Sequence, residues 1–213
     1  MPVLAEGRDM KKLIVMLHGV GSSGADLEGL GLFVQQVMPE VLFASPNGSE
    51  PFDGGGDAWQ WFSLADVTEQ NRPQRVVDAR AAFDAKLQAI FEQHDVTPGK
   101  DQVILLGFSQ GSIMALDVLA TSRFPLAGVV AFSGRLASPK PYQVAADASA
   151  LLIHGMADQV IPWSESEAAA AALTEAGAEV ETLFEPGVVH TISADGVSQA
   201  LGYIAERFEL DPE

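Results

Sequence analysis

Val103-Ile104-Leu105-Leu106 stands directly before Gly107, and a helical pattern from Ser112 to Ala120 follows. A strand with no polar alternation has no solvent-facing side, so both faces of its sheet must be covered. Leu13 to Leu17, Val41 to Ala44, Ala127 to Phe132, Leu151 to Ile153 and Val180 to Phe184 are the other strand candidates, several of them equally apolar. Longer helical patterns lie between them. Arg75 to His94 sets Val76, Ala79, Phe83, Leu87, Ile90 and Phe91 on one stripe, with His94 read as a partner of the C-terminal dipole. Ser164 to Ala176 opens with Ser164 as N-cap, carries Glu167 as capping-box partner and stops at Gly177; Ala194 to Phe208 closes the chain. The alternation of strands and helices predicts an α/β fold, a three-layer sandwich with a mostly parallel central sheet and right-handed crossovers. At 213 residues and 47% hydrophobic content, one domain over residues 1–213 is expected.

Ser45 to Pro73 breaks this rhythm. It contains Gly54-Gly55-Gly56 and the aromatic residues Phe52, Trp59, Trp61 and Phe62 without a clear period. Long irregular segments in compact domains are functional or disordered, and clustered aromatics argue against disorder. It reads as a substrate-binding loop insertion.

Composition narrows the partners. A formal charge of -17 repels phosphate backbones and anionic headgroups, so nucleic acid is not an expected partner, and no apolar run approaches the length of a membrane span, so membrane insertion is not expected either. The absence of cysteine removes disulfides, thiolate metal sites and cysteine nucleophiles. Met1 to Asp9 holds Glu6, Arg8 and Asp9 and no apolar run, which makes a cytoplasmic location the expectation.

Gly107-Phe108-Ser109-Gln110-Gly111 falls between a strand and a helix, the setting of a nucleophile elbow that lifts a serine Oγ above the sheet. A serine of ordinary pKa needs a histidine base and a carboxylate to orient it, in the order Ser, Asp/Glu, His. Downstream of Ser109 the histidines are His154 and His190. His154 precedes Asp158 in HGMADQVIP and breaks the order; His190, in EPGVVHTI, keeps it. Ser109, Asp158 and His190 are the candidate catalytic residues, with Asp147 and Glu185 as alternatives for the carboxylate. Each follows a predicted strand, at the edge where parallel sheets hold their sites.

LHGVGSSG, Leu17 to Gly24, shows the G-x-G-x-x-G spacing of a dinucleotide turn. A dinucleotide also needs an acidic residue after the second strand, where Ser45, Pro46 and Asn47 stand; a phosphate loop needs Lys, where Ala25 and Asp26 follow. An esterase needs a glycine-rich turn after an early strand to supply one oxyanion N–H, beside the N–H of the residue after the nucleophile. The loop after His18 suits that use.

LHGVG, GFSQG, HGMADQVIP and GVVH, in this order, resemble the phospholipase/carboxylesterase family of α/β hydrolases, and Gln60 to Val76 is most similar to its bacterial serine esterase branch. The resemblance implies an α/β-hydrolase fold with Ser109 as nucleophile, His190 as base, Asp158 as its orienter and the N–H groups of Val20 and Gln110 as oxyanion donors. It implies Trp61 as a wall of the substrate pocket. Trp59, Phe62 and Trp163 are further substrate-binding candidates, and apolar surface from this loop and Trp163 would allow a homodimer. Val189 stands where the family often has glycine, and the Gly54-Gly55-Gly56 insertion departs from the thioesterases. The implied activity is hydrolysis of small to medium acyl esters through an acyl-enzyme, with no cofactor or metal. Thioester or lysophospholipid hydrolysis and a non-catalytic ligand receptor are the alternatives.

Overall fold

The computed structural model describes residues 9–210. The chain runs through β1 (Lys12–Leu17), α1 (Ala25–Val37), β2 (Val41–Ala44), β3 (Glu50–Pro51), β4 (Trp59–Gln60), α2 (Arg72–Gln93) and β5 (Gln102–Phe108). It continues through α3 (Gln110–Thr121), β6 (Gly128–Phe132), β7 (Ser149–Gly155), α4 (Ser164–Glu175), β8 (Glu179–Glu185) and α5 (Ala194–Arg207). Six strands form one sheet in the order β2-β1-β5-β6-β7-β8, and every neighbouring pair is parallel.

The apolar strands are covered on both faces, as their uniform composition requires. Leu13, Val15 and Leu17 of β1 and Val103 and Leu105 of β5 pack against α2, α3 and α4, through Phe83, Leu87, Met114 and Leu173. Ile14, Met16, Ile104 and Leu106, the alternate positions, pack against α1 and α5 through Leu27, Val34, Tyr203 and Ile204. Each such side chain taken out of water contributes about 1.5 to 3 kcal/mol. Parallel pairing sends all six strands the same way, so the loops that follow β1, β5, β7 and β8 emerge at one edge.

The predicted strands appear with their ends shifted by a residue or two. Three local expectations change. Ser164 is not an N-cap: Trp163 holds that position and no side chain caps the helix, so the Ser164–Glu167 capping box does not form. Gly177 does end the helix, at φ +105°. The loop from Ser45 to Pro73 contains an antiparallel hairpin, β3–β4, and yields its last two residues to α2. Helix α1 has no counterpart in the sequence reading. It carries Gly29 and Gly31, poor helix formers, and a Cβ on Gly31 would meet the Phe43 ring at 2.3 Å, so packing on β2 sets that residue. No helix among the described residues is long and apolar enough to cross a membrane.

Candidate active site

Ser109 stands between β5 and α3 at φ 53° and ψ -116°. A non-glycine residue at positive φ costs about 1 to 3 kcal/mol and persists only where its surroundings hold it. The Ser109 N–H donates to Phe132 O of β6 at 2.9 Å. The flanking glycines make the turn sterically feasible: a Cβ on Gly111 would lie 2.0 Å from Leu17 O, and one on Gly107 2.4 Å from Ser112 N. The sequence Gly-x-Ser-x-Gly is therefore the packing condition for α3 starting this close to β1 and β5.

Asp158 follows β7 with a side chain fully out of solvent. Its Oδ1 accepts from the N–H groups of Val160 at 2.8 Å and Ile161 at 2.9 Å; its Oδ2 lies 2.6 Å from His190 Nδ1. Burial alone would raise this carboxyl, and the hydrogen bonds from His190, Ile161 and Val160 outweigh it, leaving the group below its ordinary value. Because Nδ1 faces the carboxylate it carries the hydrogen, which leaves His190 Nε2 as the basic nitrogen. Neither Asp147 nor Glu185 takes this place. Glu185 accepts the Ser193 hydroxyl instead, at 2.7 Å.

His154 is the second imidazole on Asp158. Its Nε2 lies 3.1 Å from Asp158 Oδ2 and 2.9 Å from Ile161 O, both acceptors, so Nε2 is the protonated nitrogen; Nδ1 meets Ser166 Oγ at 2.7 Å. Sequence order excluded His154 as the base, and the structure gives it another part, holding the back of the carboxylate.

The loop after β1 meets the elbow. A Cβ on Gly19 would lie 3.3 Å from Ser109 Cβ and 3.2 Å from the Phe108 ring. The same Phe108 ring is 4.9 Å from the His190 ring, centroid to centroid, so Gly19, Ser109 and His190 converge around one side chain. No hydrogen bond joins His190 to Ser109 Oγ among the described residues; in ligand-free sites such bonds are often long and tighten with substrate. His18 is buried and neutral. Its Nε2 accepts the Gly48 N–H at 2.8 Å and Nδ1 donates to Gly19 O at 2.6 Å, while burial lowers its pKa. The neighbouring Gly21 N–H donates to Trp59 O at 2.9 Å and Ser22 N–H to Gly19 O at 3.3 Å. Among the described residues the N–H groups of Val20 and Gln110 have no protein acceptor.

A cavity of about 270 Å³ brings Ser109, Val20 and Gln110 together, and Leu64, Val67, Ile113, Val160 and Ile161 supply its apolar wall. Arg72 and Arg135 also line it. No group of three or more His, Asp or Glu side chains suited to a metal ion occurs among the described residues.

The profile of the family described as Phospholipase/Carboxylesterase matches residues 2–207. The chain belongs to the phospholipase/carboxylesterase family. Membership places it among the carboxylic ester hydrolases, and its sheet and helices are those of the α/β-hydrolase fold. Esterase YpfH of Escherichia coli is 31% identical over 202 residues, covering 95% of this chain and 85% of that protein. Acyl-protein thioesterase 1 of Saccharomyces cerevisiae is 27% identical over 175 residues, 75% of this chain and 76% of its own. Among solved structures, esterase PE8 superimposes with a TM-score of 0.82 at 34% identity, over 92% of this chain and 93% of its own.

Within this phospholipase/carboxylesterase member, the four aromatic residues expected at the substrate are not among those lining this cavity. Trp61 is 1% exposed and is not among the residues lining the cavity; its Nε1–H donates to His18 O at 2.8 Å and its ring meets Phe83 edge-on. It braces the loop that carries Val20. Phe62 is buried too, and its carbonyl accepts from Gln110 Nε2 at 2.7 Å, while Gln110 Oε1 accepts the Trp61 N–H at 2.8 Å. Trp59 pairs its backbone with Ser22, and the Trp163 ring lies 5.3 Å from that of Phe184, both outside the cavity lining. Aromatic residues are read from sequence as ligand walls because they are large and apolar, properties that suit a core equally well. Arg135, just past β6, and Val160-Ile161, just past Asp158, line the cavity without a motif to mark them, and their place after strand ends is the signal the sequence holds for them. Val189, in place of the family's frequent glycine, is 57% exposed, so solvent accommodates its side chain.

Proposed function

We propose that this family member is a serine carboxylesterase acting on small to medium acyl esters. The observation that carries the reading is that Ser109, Val20 and Gln110 line one small cavity, the N–H groups of the last two having no protein acceptor among the described residues, with His190 anchored to Asp158. Ser109 Oγ attacks the ester carbonyl while His190 Nε2 takes its proton. The oxyanion is received by Val20 and Gln110, and the imidazolium is held by Asp158. His190 then returns the proton to the leaving alcohol as the carbonyl re-forms, giving an acyl-enzyme. Water, deprotonated by the same imidazole, attacks the acyl carbon and regenerates Ser109 as the acid departs.

Ester or thioester preference and acyl length are part of the same proposal. The cavity, about 270 Å³, is near the lower end of the usual range for ligand sites, roughly 300 to 1,000 Å³, in keeping with small to medium acyl groups. A series from acetyl to palmitoyl, each as an ester and a thioester, is expected to peak at short to medium esters. A peak at palmitoyl thioester would overturn the substrate assignment in favour of the activity named for the yeast relative. Ser109→Ala is expected to lower ester hydrolysis at least about a thousandfold; near-wild-type activity would remove the nucleophile assignment.

A further inference from the structure

Two guanidinium groups share the cavity with Ser109 in a chain that carries 12 Lys and Arg against 29 Asp and Glu. Elsewhere in the molecule sheltered arginines are closely paired. Arg80 holds Asp117 at 2.8 Å, and Arg123 holds Asp84 at 2.9 Å and Asp117 at 2.7 Å. Arg135 is different. Its side chain is only 13% exposed, yet the carboxylate in range, Glu165, stays at 3.8 Å, and no hydrogen bond from its guanidinium is recorded among the described residues. Burial lowers its pKa, Glu165 and Glu69 act to raise it, and Arg72 lowers it further, so the two cations feel each other. Holding a desolvated guanidinium without a close acceptor is costly, and a second cation beside it adds to the cost. A second cavity of about 290 Å³, lined by Glu69, Ser138 and Glu165 among others, also has Arg72 and Arg135 in its wall. The two arginines therefore form part of the wall of both cavities.

Resting on the reading of Ser109 as nucleophile, we propose that Arg135, with Arg72 beside it, binds a free carboxylate on the substrate, making this an esterase selective for small anionic esters. The planar fork of a guanidinium matches a carboxylate in two parallel hydrogen bonds. Leu64, Val67, Ile113 and Val160 provide an apolar wall for the methylene groups of such a substrate. The long contact to Glu165 is one that an incoming carboxylate can replace. With an overall charge of -17, the protein repels anions in general, so affinity for one depends on this local pair.

The test compares kcat/KM for matched esters. Monomethyl glutarate against methyl valerate places the carboxylate on the acyl side; acetoxyacetate against ethyl acetate places it on the alcohol side. The wild type is expected to favour the anionic member of at least one pair by about tenfold or more, as charge-assisted hydrogen bonds allow. Arg135→Met is expected to cut that ratio about 10- to 100-fold, and Arg135→Lys, which keeps the charge but loses the fork, to cut it less. Lys100→Met removes a charge before β5, at the far end of the sheet from Ser109, and leaves the ratio unchanged. No anionic preference in either pair, or an unchanged ratio in both Arg135 variants, overturns the proposal. Glutarate, and not inorganic phosphate, is expected to slow labelling of Ser109 by a fluorophosphonate; the reverse result would replace the carboxylate by a phosphate. Should no ester be hydrolysed, the catalytic reading fails. Calorimetric binding of glutarate to the wild type, with loss in Arg135→Met, then decides the anion site separately.

Discussion

Asp158 shows how a buried carboxylate is kept charged. Two backbone N–H groups and two imidazoles surround its oxygens, and the hydrogen bonds outweigh the burial that would otherwise favour its neutral form. Asp158→Asn would present an amide donor to His190 Nδ1 and reverse the tautomer that leaves Nε2 basic. Steady-state kinetics on a short-chain ester are expected to show kcat falling about 10³- to 10⁴-fold with KM changed little. A loss confined to KM would mean that Asp158 serves substrate binding instead. Order along the chain was enough to pair Asp158 with His190, because each follows a strand of a parallel sheet. It gave no sign that His154 also contacts the Asp158 carboxylate, since a second donor to the same oxygen depends on how the loop after β7 doubles back, and that is not a property of spacing.

At the scale of elements, Gln110 couples α3 to the loop from Ser45 to Pro73. Its amide both accepts from Trp61 and donates to Phe62 while the residue is 2% exposed. Gln110→Met strands two buried backbone groups, and urea unfolding is expected to show a loss of about 2 to 4 kcal/mol; a change below about 0.5 kcal/mol would mean that the loop stays in place without this tie. Gly111→Ala drives a Cβ into Leu17 O, and overpacking against backbone is expected to cost about 3 kcal/mol or more by the same measurement. An alanine variant of wild-type stability would show that α3 can move away from β1 at little cost. The strands and most helices were legible because their periodicity reports burial directly. The loop was only half legible. Its aromatic cluster marked it as ordered, but whether Trp61 faces a ligand or the core is decided by the partner of its indole N–H, which lies in another part of the chain.

Across the whole molecule, His18 and Asp158 both bind protons more weakly when folded, His18 because burial disfavours its cation and Asp158 because its hydrogen bonds outweigh burial, and both act in the same direction. His18 is held below the ordinary imidazole value of 6.5, so the unfolded chain takes up its proton first and stability declines as pH falls below that value. Asp158 is held below 3.8, so its contribution is complete above that value and is lost as pH falls through the folded one. Thermal unfolding between pH 8 and pH 3 is expected to show a decline near pH 6 and a second below pH 4. His18→Gln is expected to flatten the first, and an unflattened curve would place its origin elsewhere. The fold as a whole could be read from strands that have no polar face, since only a sheet covered on both sides can bury them. The cavity could not, because it forms where five separate segments meet. Whether those segments assemble a nucleophile at Ser109 is decided by fluorophosphonate labelling read by peptide mass spectrometry. A single phosphonyl adduct on Ser109, absent after acid denaturation before labelling, is the predicted result. No adduct on the folded protein, or one on another residue, would contradict it.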